Sequence, residues 1–247
     1  MVCITTENTD THTMEGGDEG ILRARIEVNR PLAHFPRSFI GKGNRKDIPR
    51  INHFFFNEVG DSVGQDAGRE VEQTAANNVI GVKETVFLRY PDGELQPTIE
   101  LRRELTRLIR IHKPDVVLAG NPEAWFYGNE YVNHPDHRAA AQAACEAVFP
   151  SAGTRLIFTD LLKAGYEPHN VKRLYVHGTD KPDTWVDISE TIDIKVKALQ
   201  QHASQVPVDE VEKWMKDWAK EDAKEKDFEY AESYRVMILQ SDVEPEK

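Results

Sequence analysis

The stretch IELRRELTRLIRIHKPDVVLAG, residues 99 to 120, decides the fold class. Leu101, Leu105, Leu108 and Ile111 recur at helical spacing, which gives the segment one apolar stripe on an otherwise charged surface. Pro114 ends that helix, because its ring removes a backbone donor and clashes with the preceding turn. Asp115 to Gly120 is then a short, wholly apolar run of the kind found in a strand buried on both faces. A helix that runs straight into a doubly buried strand points to an α/β sheet with crossover helices.

Working outward, the same alternation continues. ETVFLRY (Glu84 to Tyr90) is rich in β-branched and aromatic residues and reads as a strand. PDGEL follows as a turn punctuated by Pro91 and Gly93. Before it, GREVEQTAANNVIG reads as a helix closing near Gly81. Downstream, VKRLYVHG and DTWVDIS read as strands, and TIDIKVKALQQHASQV as an amphipathic helix through Ile192, Ile194, Val196 and Leu199. VDEVEKWMKDWAKEDAKEKDFEYAESYRVMIL reads as a long charged helix, with its lysines and glutamates in water, and a short terminal strand. The expected fold is three-layer α/β/α with a mainly parallel sheet and right-handed crossovers. The first 65 residues differ: ILRARIEV and INHFFFNEV suit strands, but no helical period lies between them. We therefore expect a divergent N-terminal segment over residues 1–65, partly disordered, and an α/β domain over residues 66–247.

Bulk properties narrow the function classes. With 42 acidic against 31 basic residues the chain carries a formal charge of -11, which argues against nucleic acid or an anionic membrane as partner. Cys3 and Cys145 are the only cysteines, too few for a disulfide framework and in keeping with a reducing compartment. The opening residues have neither the basic nor the apolar region of a secretory signal, and no apolar run approaches the ~18 residues of a membrane span. A cytoplasmic protein is expected, and homo-oligomerisation is left open.

The chemistry concentrates in YVNHPDHRAAAQAACEAVFP, Tyr131 to Pro150. Proline favours the first position of a helix, where its missing N–H costs nothing. Pro135 in that position makes His134 the N-cap and puts Asp136 and His137 in the first turn, with the two imidazoles on one side. The partial positive charge of a helix N-terminus disfavours imidazolium, and neutral imidazole is the metal-binding form. A neighbouring carboxylate such as Asp136 can fix the tautomer. The turn follows DVVLAG by a loop, which places it on the carboxyl edge of the sheet, where α/β folds carry their sites. The plainer alternative is an ordinary helix start. Nine histidines give chance pairs at this spacing, and a zinc site needs three protein ligands where the turn offers at most two.

Together with VFLRYPDGEL and IRIHKPDVVLAG before it, and GTDKPDTWVDIS, KALQQHASQ and FEYAESYRV after it, this stretch resembles the PIG-L/LmbE-like zinc-dependent de-N-acetylases. The likeness runs from about Gly68 to Ile238. It implies a Rossmann-like fold, a Zn2+ cofactor, and a water that attacks the acetamide of an N-acetylglucosamine-type conjugate. By the same resemblance His137 is a zinc ligand. His134 stabilises the oxyanion or protonates the leaving amine, Asp136 orients it, and Asp92 lines the sugar pocket, although Asp92 also suits a plain turn. The family's His-Pro-Asp-Asp-Glu turn, which supplies the remaining ligands and the general base, is not found. His34, His53 with Glu58, and His12 with Asp18 and Glu19 lack its order. The second expectation is therefore an inactive relative: a sugar-binding or regulatory module, or the remnant of a damaged coding sequence.

Overall fold

The computed structural model describes residues 2–7, 25–28, 51–57 and 65–240. Ten strands and six helices follow one another along the described chain. These are β1 (Val2–Glu7), β2 (Arg25–Val28), β3 (Ile51–Asn57), α1 (Gln65–Val79), β4 (Glu84–Phe87), α2 (Ile99–His112), β5 (Val116–Gly120), β6 (Phe126–Tyr127) and β7 (Tyr131–Val132). Then come α3 (Pro135–Glu146), a π-type turn (Ala147–Ser151), α4 (Thr159–Lys163), β8 (Arg173–His177), β9 (Thr184–Asp187), α5 (Ile192–Leu199), α6 (Val208–Asp222) and β10 (Ala231–Ile238). Eight strands form one sheet in the order β2-β9-β10-β8-β5-β1-β3-β4, and β6 with β7 forms a separate hairpin.

Helix α2 shows how locally the chain specifies itself. Thr98 caps its start by accepting a hydrogen bond from the Leu101 amide, and Lys113 ends it in the left-handed conformation, with Pro114 next. Leu101, Leu105, Leu108 and Ile109 face inward. They pack with Val117 and Ala119 of β5, Leu174 and Val176 of β8, and Ala139, Ala140, Ala143, Ala144 and Ala147 of α3 and its extension. The alanines let α3 lie close to β5: a Cβ on Gly120 would stand 3.5 Å from that of Ala141.

Alternate strand residues point to opposite faces, which defines the third layer. Tyr175, between Leu174 and Val176, meets Tyr234 edge-on on the other side of the sheet, and Glu232 on that side of β10 pairs with Lys195 of α5. The three-layer α/β/α arrangement is thus the one expected.

The sheet is mixed rather than mainly parallel. Only β3–β4 and β5–β8 pair parallel, while the other neighbours, including both partners of β1 and both of β10, are antiparallel. Tracing these pairings, β3, β4, β5, β8 and β9 share one direction and β1, β2 and β10 oppose it. Apolar runs reveal that strands exist and are buried; the direction of a neighbour depends on the connections, which strand patterns do not encode. Two strands expected before residue 65 are present as β2 and β3, and β1, which no pattern had marked, sits between β5 and β3. The expected terminal strand, β10, lies inside the sheet between β9 and β8. The remainder of residues 1–65, with the question of its order, lies outside the described residues. Among the described residues no helix is long and apolar enough to cross a membrane.

Candidate functional site

Because β4, β5 and β8 run the same way, their carboxyl ends meet at one edge of the sheet. The PDGEL turn leaves β4 there, the loop to the HPDH turn leaves β5, and His177 ends β8. Pro135 occupies the first turn of α3, as its sequence position predicts, and His134 is the N-cap, its side chain accepting from the Asp136 amide. That contact, at 3.4 Å, is made by Nδ1. An Nδ1 that accepts is unprotonated, so in the neutral ring the proton sits on Nε2. Nε2 faces a carboxylate oxygen of Asp92 at 3.8 Å.

Asp136 is buried (2 % exposed), and its carboxylate is occupied. The Gly93 amide donates to it at 2.6 Å and the Leu95 amide at 3.2 Å. Gly93 adopts a positive φ (82°), which lets the turn present its amide to Asp136. The start of α3 therefore holds the PDGEL loop in place, and with it Asp92, which is exposed and also accepts from Arg69 at 3.3 Å. Asp136 orients His134 through its backbone amide; its carboxylate stands 3.8 Å from Nδ1.

Asp92, His134 and Asp136 each offer a ligand atom, all within 4.8 Å of one another, so this group could hold a metal ion. Imidazole nitrogen with carboxylate oxygen is a donor set that suits zinc. The structure thus gathers three of the four residues singled out in the sequence. His137 stands beside them, its ring centroid 5.3 Å from that of His134, but outside the group of three. Burial, helped by the neighbouring His134, lowers the pKa of His137 below the ordinary histidine value and favours the neutral ring. His53 lies on β3, whose side chains are outside the described residues, as are His12, Asp18, Glu19, His34 and Glu58 altogether.

One residue escaped the sequence reading. His177, paired in register with Gly120, lies with its Nε2 3.7 Å from where a Gly120 Cβ would be, and burial pulls its pKa down to about 4. Its signal was a titratable residue closing a strand just before a glycine. By contrast burial raises the Cys145 thiol to about 11, which keeps it protonated near neutral pH.

A model of the PIG-L family, described as GlcNAc-PI de-N-acetylase, matches residues 42–148. The diacetylchitobiose deacetylase of Thermococcus kodakarensis is 34% identical over 162 residues, covering 63% of this chain and 58% of that protein. A probable N-acetyl-alpha-D-glucosaminyl L-malate deacetylase 2 of Bacillus anthracis is 28% identical over 145 residues, covering 56% of this chain and 55% of its own. Among solved structures, N,N'-diacetylchitobiose deacetylase from Pyrococcus horikoshii, complexed with an inhibitor, superposes with a TM-score of 0.64 and 29% identity. That match covers 75% of this chain and 72% of the other. The chain spans little more than half the length of the curated relatives it matches.

Proposed function

As a chain that carries a PIG-L-type domain, this protein is, we propose, a zinc-dependent deacetylase that removes the acetyl group from an N-acetylglucosamine-type conjugate. The observation that carries the reading is the meeting of Asp92, His134 and Asp136 at the carboxyl edge of the sheet, in a chain whose relatives are named as deacetylases of N-acetylated sugars. The acidic charge and the two cysteines support a cytoplasmic location.

The residues divide the work as follows. His137, kept neutral by its surroundings, provides one donor that would hold zinc, beside the Asp92–His134–Asp136 group. Zinc, when bound, supplies a Lewis acid for the amide carbonyl and a water acidic enough to ionise near neutral pH. His134 presents Nε2–H to the reacting group, because its Nδ1 is engaged by the Asp136 amide. That proton is placed to steady the developing oxyanion and then pass to the leaving amine, so that acetate and a free amine result. Asp92, exposed beside it, is placed to accept from a sugar hydroxyl.

Zinc content and hydrolysis of N-acetylglucosamine conjugates test the reading together. We expect roughly one zinc per chain in the purified protein, lost with activity in His137→Ala, whereas His134→Ala keeps the zinc and loses turnover. A zinc-free wild-type protein that leaves every such conjugate intact would instead be the inactive relative.

A further inference from the structure

We propose that the outer face of the β6–β7 hairpin, centred on Phe126 and Val132, is where a second copy of this chain docks. Such pairing needs no catalytic activity and goes beyond the deacetylase reading.

The two faces of the hairpin differ in what covers them. Phe126 is opposite Val132 and Tyr127 opposite Tyr131, and residues directly opposite each other point to the same side. The tyrosine face leans on the domain. Its rings stack with centroids 6.2 Å apart, and the Tyr127 hydroxyl lies against Gly178, where a Cβ would stand 2.6 Å from the oxygen. Phe126 and Val132 point the other way and are 68% and 63% exposed. A strand with one wet face carries polar side chains there, whereas a strand that is apolar on both faces is covered on both. This hairpin has the second pattern, yet its Phe126–Val132 face stands in water.

That face is also held stiff. Asn133, only 4% exposed, donates its side-chain amide to the Ala124 carbonyl at 2.8 Å and its backbone amide to the Trp125 carbonyl at 2.9 Å. The Arg138 guanidinium covers the Trp125 ring at 3.8 Å and donates to the Asn133 carbonyl. A buried polar side chain is thus devoted to fixing an exposed aromatic hairpin, which lowers the entropy lost when that hairpin is covered.

Size and charge select the occupant. Together with the half-exposed Trp125, Tyr127 and Tyr131, the pair leaves roughly 600 Å² of apolar surface in water, counting about 200 Å² for each whole aromatic side chain. That equals the largest patch of a typical monomer, about 300–600 Å², and is most of the ~800 Å² that each partner gives to a stable complex. From Trp125 to Val132 the one charged side chain is Glu130, in the turn beyond the paired residues. An aromatic centre free of charge is the composition of a permanent subunit interface, and most such interfaces join identical chains across a two-fold axis. A two-fold axis through Phe126 sets apolar centre on apolar centre and leaves Glu130 at the rim. Lipid fits less well, because the tip from Gly128 to Glu130 is polar and the chain's charge of -11 repels anionic headgroups.

The test is sedimentation equilibrium of the full chain at micromolar concentration. The wild type should be a dimer or a larger closed assembly. Phe126→Glu should weaken association about a hundredfold or more with an unchanged circular dichroism spectrum, because a two-fold interface carries the substitution twice. Should that variant not fold, Val132→Glu should have the same effect. Leu156→Glu, which charges a side chain 86% exposed beyond the far end of α3, should leave association as it is. A monomeric wild type overturns the interface. So does an assembly that survives Phe126→Glu and Val132→Glu, or one that Leu156→Glu breaks equally. A monomer that instead binds phosphatidylcholine vesicles, with binding lost in Phe126→Glu, would assign the face to lipid.

Discussion

Arg110 and Asp136 are buried charges of opposite sign that do the same mechanical work in two different places. Arg110, on α2 and 1% exposed, donates to the carbonyls of Ser151, Ala152, Thr154 and Ile157 and so fixes the loop after α3. Asp136, 2% exposed, accepts from the amides of Gly93 and Leu95 and fixes the PDGEL loop. In both, backbone dipoles replace the water lost on burial, and a stretch without regular structure becomes rigid. What separates them is the company. Arg110 donates only to carbonyls, with the Asp160 and Glu167 carboxylates acting on it through space and no histidine among its hydrogen-bond partners, whereas Asp136 has His134 at 3.8 Å and Asp92 in the same group. A buried charge is therefore not a functional signal in itself; the titratable neighbours decide.

The contrast can be broken by exchange of each residue. Asp136→Asn should have the largest effect, a fall in deacetylation of about 10²-fold or more, because the Gly93 and Leu95 amides donate to different carboxylate oxygens and asparagine puts an NH2 donor in place of one, so that Asp92 loses its position relative to His134. Initial rates at saturating substrate, with circular dichroism to confirm the fold, check this. Arg110→Met should leave zinc content and KM unchanged but cost about 3 kcal/mol of stability, since four carbonyls lose their donor. In a domain of this size that lowers Tm by roughly 10 °C, readable by calorimetry. Equal loss of activity in both variants would show the two loops to be one cooperative unit.

The smallest effect concerns pH. The folded pKa of His177, about 4, lies below its ordinary 6.5, so the unfolded chain binds the extra proton first. Stability should rise with pH between those values, and His177→Asn should flatten part of that slope in urea titrations at pH 4.5 and 6.5. An unchanged slope would assign the acid sensitivity to other groups.

The central sequence was legible because its signals are local. Pro114, the Thr98 cap and the apolar spacing of α2 each act within one turn, and Pro135 fixes the start of α3 in the same way. Asp92, His134 and Asp136 could be named because they stand in short motifs that resemble a known family. His177 and the Tyr127–Tyr131 stack could not, since neither a strand-ending histidine nor two tyrosines in a loop is distinguishable until the strands pair. Arg110 was hidden for a related reason: an arginine between isoleucines on a charged helix reads as solvated, and only the loop folded over it makes it buried.

Local stereochemistry along the chain determined where the helices and strands lie and placed the histidine turn at a helix N-terminus. Only the assembled sheet decided strand direction, the insertion of β1 between β5 and β3, and the meeting of the β4, β5 and β8 ends. Turns and caps are settled by neighbours a few bonds away, whereas strand order and site geometry depend on contacts between residues far apart in sequence, whose pairing no local pattern carries.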